Sequence, residues 1–227
     1  MIGQAITYLT ATLVIYYAAK WVYRKHPKVY LSPLLVTPLL LVLILLVTHS
    51  SYTSYNAGGV WLSKLLQPAT VAFAVPLYKN LQTLKKHAGE IVASVLFGSL
   101  MAMSSSALLA RMMHLNGELA HSLVPRSVTT PIAMNVSQMI GGVPTITAVF
   151  VIMTGLLGAM MGPSVVKLLR IEGDIARGVL FGTSAHGTGT SKAFEINPLA
   201  GTISSISMIL AALFTLAAAP ALLGLLG

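Results

Sequence analysis

GTSAHGTGTSKAFE, residues 182–195, is the stretch on which the fold of this chain turns. It combines Gly182, Gly187 and Gly189 with the hydroxyls of Thr183, Ser184, Thr188, Thr190 and Ser191 and the titratable groups His186, Lys192 and Glu195. Glycine lets a backbone open and approach a neighbour closely, and hydroxyls both donate and accept hydrogen bonds. A lipid-facing helix has no use for such a composition. Yet uncharged runs flank the stretch at 127–166 and 196–227. Polar backbone at membrane depth is tolerated where it is buried in protein or lines a water-filled cavity. Ionisable groups held there mark a pathway or a proton relay by default. In a surface loop the same residues would be ordinary.

The rest of the chain puts the stretch in a membrane. Of 227 residues, 56% are hydrophobic and 8% charged, against about 25% charged in a soluble domain. Further uncharged runs cover 1–19, 29–63 and 91–110, and roughly 20 apolar residues span the hydrocarbon core as a helix. The reading is therefore an all-α polytopic membrane protein of roughly 7–8 membrane segments, residues 1–227 forming a single transmembrane domain. The formal charge of +9 is carried by clusters in short loops, as the positive-inside bias requires. With no aromatic-interleaved basic patch, it points to the bilayer and not to nucleic acid. The chain has no cysteine, which removes disulfides, thiolate metal sites and a thiol nucleophile. Its first charges follow the first apolar run, the reverse of a cleavable signal peptide, so that run is expected to be a retained helix.

The first span is expected at about 4–22, followed by Lys20, Arg24, Lys25 and Lys28 on the cytoplasmic side, with the N-terminus outside. Spans follow at 33–49, 60–80 (interrupted by Pro68 and Pro76) and 89–111. The loop Lys167–Arg177 carries three basic residues and should be cytoplasmic as well. The chain must then cross an odd number of times between residues 118 and 170. Residues 118–140 are accordingly expected to enter and return from one side, or to cross incompletely, while 143–166 cross fully. The 14 uncharged residues at 178–191 are too few to span alone. Two blocks share one order, continuous helix, broken or re-entrant helix, continuous helix, over 33–111 and 125–226. An inverted repeat with broken helices at matching positions points to a transporter binding site.

Four segments could carry chemistry. In QPATVAFAVPLYK, residues 67–79, Pro68 removes a backbone donor beside Ala69 and Thr70; a simple kink explains it equally well. In PRSVTTPIAMN, residues 125–135, Arg126 precedes Ser127, Thr129, Thr130 and Pro131, with Asn135 at the end. Hydroxyls and free N–H groups at a helix start favour an anion, and a guanidinium matches a carboxylate bidentately. An ordinary interfacial helix start with a snorkelling arginine is the alternative. Gly141, Gly142 and Pro144 read as a tight turn into a helix. The fourth is 182–195. It lacks the GxxxxGK[ST] spacing of a phosphate loop, an acidic third member for a Ser–His pair, and enough ligands for a metal. The candidate binding set there is Ser184, His186, Gly187, Thr188, Gly189, Thr190 and Lys192, with His186 and Glu195 as proton-handling candidates. No catalytic constellation and no cofactor or metal site is visible.

These motifs resemble the LrgB/CidB family of bacterial membrane proteins. The resemblance runs through LLQPATVAFAVPLYK, PRSVTTPIAMNVSQMIGGVPTITAVFVIMTG, ARGVLFGTSAHGTGTSKAFE and SSISM, over most of residues 60–210. Gln67 stands where the family pattern leads one to expect Gly, and Asn135 where it leads one to expect an acid. If that acid carries a proton in relatives, coupling here falls to Glu195 or is absent. The resemblance implies two readings. One is an antiholin-like partner of a small LrgA/CidA-type membrane protein, tuning murein hydrolase export and lysis. The other, through similarity to the plant plastid glycolate/glycerate translocator and bacterial pyruvate-uptake systems, is a carrier of small monocarboxylates in the inner membrane. The anion-favouring residues tip the balance to the carrier, with 67–78 and 183–195 meeting near midplane and Arg126 or Lys192 neutralising the substrate. So small a carrier is expected to be a homodimer.

Overall fold

The helices begin where prolines and capping residues allow and end where the apolar runs stop. In a computed structural model, which describes residues 2–26, 29–65, 68 and 74–226, every regular element among the described residues is helical. Two compact units divide at Ala74/Val75.

The first unit holds α1 (Ile2–Lys25), a short 3₁₀ turn (Val29–Leu31), α2 (Pro33–Val47) and α3 (Tyr52–Lys64). Pro33 starts α2, where a missing N–H costs nothing. Ser51 caps α3 by accepting from the Ser54 N–H. Both α2 and α3 pack on α1. Gly58 faces Ala5 and Leu9, and the Tyr55 hydroxyl reaches Thr12, so α3 runs opposite to α1. Paired Lys25–Trp21 and Lys64–Trp61 contacts then mark the C-terminal ends of α1 and α3, the residue types that sit at membrane–water interfaces.

The second unit contains α4 (Ala74–Lys79), α5 (Leu81–Lys86), α6 (Ala88–Met112), α7 (Gly117–Leu123), α8 (Thr130–Met139), α9 (Pro144–Leu168), α10 (Asp174–Ile196) and α11 (Pro198–Leu226). Among the described residues, three stretches are long and apolar enough to cross a membrane: Ala88–Met112, Pro144–Leu168 and Pro198–Ala219. Their buried faces carry the core. On α6 it is the stripe Ile91, Val95, Ser99, Met103, Ser106 and Ala110, at helical spacing.

The segment predicted as a broken helix at 178–197 is a hairpin. His186 has φ 40° and ψ −127°, off the helical region. A Cβ on Gly189 would fall on the Phe181 carbonyl and 2.7 Å from the Ala185 Cβ. In a continuous helix residues 181 and 189 would be about 12 Å apart, so the chain doubles back. The register against α11 agrees. Going out, Gly178 faces Ala200 and Ile203, and Gly182 faces Ser204 and Ser207. Coming back, Thr190 Oγ1 lies 2.9 Å from Ser204 Oγ, and Phe194 covers Gly201. The arms are about 18 and 15 Å long at 1.5 Å per residue, short of the roughly 30 Å hydrocarbon core.

Residues 118–140 also leave and come back. Val143 N–H donates to Ser122 Oγ at 2.7 Å, and a Cβ on Gly142 would meet the Ser122 nitrogen at 2.8 Å. The turn expected at Gly141–Gly142 is present, with Gly141 at φ 82°. The first sequence block, 33–111, is divided between the two units, and its expected site residues Ala69 and Thr70 lie outside the described residues.

Candidate functional site

The tips of the two re-entrant segments converge on one turn of α9. The first tip is the turn 124–129 between α7 and α8, and it holds Arg126. The Arg126 Nε donates to Ser106 Oγ on α6 at 2.8 Å, and Nη1 donates to Thr154 Oγ1 on α9 at 3.5 Å. Both acceptors are neutral. Among the described residues the ion pairs are His87–Glu90, Arg177–Asp174 and Lys192–Glu195, so Arg126 is half-buried with no carboxylate against it.

The second tip is His186, seated on the other side of the same α9 turn. Its Nε2 lies 3.0 Å from the Val151 carbonyl. A carbonyl only accepts, so Nε2 carries the hydrogen and Nδ1 is left for another partner. The hairpin fits there because α9 presents glycines to it. Gly162 faces the Phe181 ring, Gly158 faces Ala185, and Gly155 faces His186 and Thr188. Thr154 and Gly155 are adjacent and lie near the middle of α9, about 15 Å from its first residue. The tips therefore meet at mid-helix depth, one reaching in from each end of α9.

A narrow cleft, closed to a water molecule, lies beside the first tip, with Ser99, Met103, Ser127, Val128, Thr183 and Thr215 in its walls. Ser127 belongs to the first tip and Thr183 to the outgoing arm of the hairpin. Thr129 is the N-cap of α8, its side chain makes no capping bond, and Pro131 occupies the first turn. The N–H groups that begin α8 and the returning arm of α10 have no intrahelical acceptor. Such helix starts, with their positive dipole ends, suit an anion.

All five acidic residues of the chain sit at helix ends or in a loop. Glu90, Glu118, Glu172 and Glu195 are exposed and Asp174 is half-buried. None lines the cleft. The tips therefore carry one fixed positive charge and no negative one.

The structure brings Arg126, His186 and Thr188 to the middle of α9, while Ser127 lines the cleft against α6 and α11. Thr129 and Thr130 are half-buried at the start of α8. Gly187 heads the returning arm, and Gly189 and Thr190 pack it onto the outgoing arm and α11. Ser184 is exposed and donates to the Leu180 carbonyl at 2.5 Å. Asn135 is exposed, off the face that buries Ala133, Val136 and Ser137. Lys192 pairs with Glu195 at 2.6 Å near the base of the hairpin, away from its tip. Pro68 is exposed. Sequence reasoning missed Ser99, Ser106, Thr154 and Thr215. Ser99, Thr154 and Thr215 are signalled only by a lone hydroxyl in an apolar run, and Ser106 only as the last of the three serines at 104–106.

Apolar helices of spanning length define a helical membrane protein. Residues 12–225 match the LrgB-like family, and the chain belongs to it. It is 61% identical over 218 residues to the uncharacterized protein YwbG of Bacillus subtilis, covering 96% of this chain and 97% of that protein. It is 40% identical to YxaC of the same organism, covering 92% and 90%. It is 36% identical to the holin-like protein CidB of Staphylococcus aureus, covering 97% and 96%. No solved structure matches.

Proposed function

We propose that this chain is a secondary transporter of small monocarboxylates, of the pyruvate, glycolate, glycerate or lactate kind, in the bacterial cytoplasmic (inner) membrane. The observation that carries the reading is Arg126. It is a half-buried guanidinium bonded to two neutral hydroxyls between opposed tips, with every acid of the chain elsewhere. A buried charge without a counter-ion is costly, and a substrate carboxylate supplies one in bidentate geometry. With a single fixed charge, a monoanion is matched and a dianion is not. The hairpin α10 is the element suited to move, because its seat on α9 is a row of glycines without interlocking side chains. Alternating access then consists of that hairpin and the 118–140 segment opening in turn, within 7–8 membrane segments whose blocks 33–111 and 125–226 form an inverted repeat. His186 is the titratable group at the tips and the candidate for proton coupling; Glu195, paired with Lys192 at the hairpin base, is the second. A homodimer would supply the scaffold against which such a small carrier moves.

The test is uptake of labelled pyruvate, glycolate or lactate into liposomes holding the purified chain. Saturable uptake above protein-free vesicles is expected, lost on Arg126→Ala. A second reading has its own support in the name of the holin-like CidB relatives: a regulator acting with a small LrgA/CidA-type membrane partner on murein hydrolase export and lysis. It expects no saturable uptake with any small carboxylate, and a stable complex with that partner.

A further inference from the structure

Ser106 is fully buried on the inner stripe of α6, between Met103 and Ala110, and its hydroxyl is used on both sides. It donates to the Ala102 carbonyl one turn back at 2.6 Å, and its oxygen accepts the Arg126 Nε–H at 2.8 Å. The hydroxyl hydrogen is thus committed to the helix, and what the oxygen offers Arg126 is lone pairs alone. Ser106 exposes no surface, so water does not compete for the bond. The far end of the guanidinium is held more loosely. Nη1 meets Thr154 Oγ1 at 3.5 Å, the limit of a hydrogen bond, and among the described residues none accepts from Nη2. Ser105 bonds the same Ala102 carbonyl at 3.1 Å from the exposed side of the helix and makes no bond to Arg126.

Resting on the transporter reading above, we propose that Ser106 is a positioning residue, which takes Nε of Arg126 and so aims the terminal edge of the guanidinium at the substrate. A guanidinium grips a carboxylate through two parallel N–H groups. It has two edges for this, one formed by Nε with Nη2, the other by Nη1 with Nη2. Ser106 occupies the first edge and leaves the second. The direction follows from the two acceptors. Ser106 lies on α6, and Thr154 lies on α9 beside Gly155, the glycine that faces His186 and Thr188 of the hairpin. The terminal edge therefore points from α6 to the α9 turn that seats the hairpin tip. A carboxylate arriving there replaces the long Thr154 bond and keeps the Ser106 bond. Without that anchor the long arginine side chain spreads over several rotamers. Affinity then falls by the fraction of time spent in the competent one.

The experiment measures uptake of labelled pyruvate by proteoliposomes as a double-mutant cycle. Ser106→Ala should raise the KM about tenfold, the cost of an aimed guanidinium present about a tenth of the time, with the maximal rate per folded molecule unchanged. Ser106→Thr keeps a hydroxyl able to bond the carbonyl one turn back and should restore the low KM. Ser105→Ala should match the wild type. In an Arg126→Lys chain, which has no Nε to hold, adding Ser106→Ala should move the KM by less than about twofold, the scatter of uncoupled sites. A role in folding alone predicts something else: a lower maximal rate at unchanged KM, equal in both backgrounds. That result would overturn the assignment, as would a tenfold KM rise that persists in the Arg126→Lys chain. So would a Ser106→Thr protein that melts with the wild type in detergent and keeps the raised KM. If wild-type vesicles take up no carboxylate at all, the transporter reading fails first and the role of Ser106 falls with it.

Discussion

Adding one methyl group at Gly155 should unseat the hairpin tip. A Cβ at that position lies 2.7 Å from His186 Cε1 and 2.8 Å from Nε2, and it also runs into Thr188 Oγ1. Ordinary contact begins near 3.4 Å, so the ring must withdraw by about 0.6 Å. The Nε2 to Val151 carbonyl distance, now 3.0 Å, then stretches to about 3.6 Å, which no longer counts as a hydrogen bond. Losing that bond costs about 0.5–1.5 kcal/mol, and overpacking costs typically about 1–3 kcal/mol. Together they give roughly 2–4 kcal/mol. At roughly 2–4 °C per kcal/mol for a domain this size, thermal unfolding of Gly155→Ala in detergent should fall by about 5–15 °C. Uptake of the labelled monocarboxylate should fall with it. The control is Gly89→Ala, where nothing lies within 4 Å of the added atom and stability should stay within about 0.5 kcal/mol. If Gly155→Ala melts with the control and transports at the native rate, the seat on α9 does not hold the tip.

Arg126→Lys keeps the charge but loses the planar fork. The KM for pyruvate in proteoliposomes should rise tenfold or more, since hydrogen bonds to charged groups are worth about 1.5–3 kcal/mol. At residue 186, backbone and side chain can be separated, because φ 40° with ψ −127° is easy only for glycine. His186→Gly and His186→Ala both lose the Val151 bond, but the glycine variant should melt higher, by the equivalent of about 1–3 kcal/mol of relieved strain; equal melting would refute the strain. The cysteine-free chain makes single-cysteine labelling clean. Glu118→Cys should react with a membrane-impermeant reagent from outside, and Glu172→Cys only after permeabilisation.

Much of this architecture could be read from residue types, though not from where glycine stands. The 182–195 stretch reads as a break because its composition suits neither lipid nor a continuous helix. The reversal falls on His186, while Gly182 and Gly189 serve to let helices touch. Backbone freedom and close packing call for the same residue, and the sequence does not separate the two uses. Arg126 is legible from its Pro-Arg-Ser context. Its partners Ser106 and Thr154 are not: one is the last of three consecutive serines, the other a single hydroxyl in an apolar run, and they lie 20 and 28 residues away. Which polar segments face one another is set by how helices pack across long separations. Local pattern led to an expected meeting of 183–195 with 67–78; the described neighbour of the hairpin tip is α9, at Val151 and Gly155, and residues 67 and 69–73 lie outside the described residues.

The short arms of α10 have a consequence for how the chain is made. Neither arm reaches the length at which a nascent segment is released sideways into lipid as a spanning helix. One face of the hairpin is finished only by α11, through Ser204, Ser207, Ala200 and Gly201. Synthesis runs from α9 through α10 to α11, so the hairpin must wait at the membrane surface until the last helix is threaded, and only then sink between the two. A ribosome stalled just past Asn197 would carry the whole polar stretch and still leave it without a place to go.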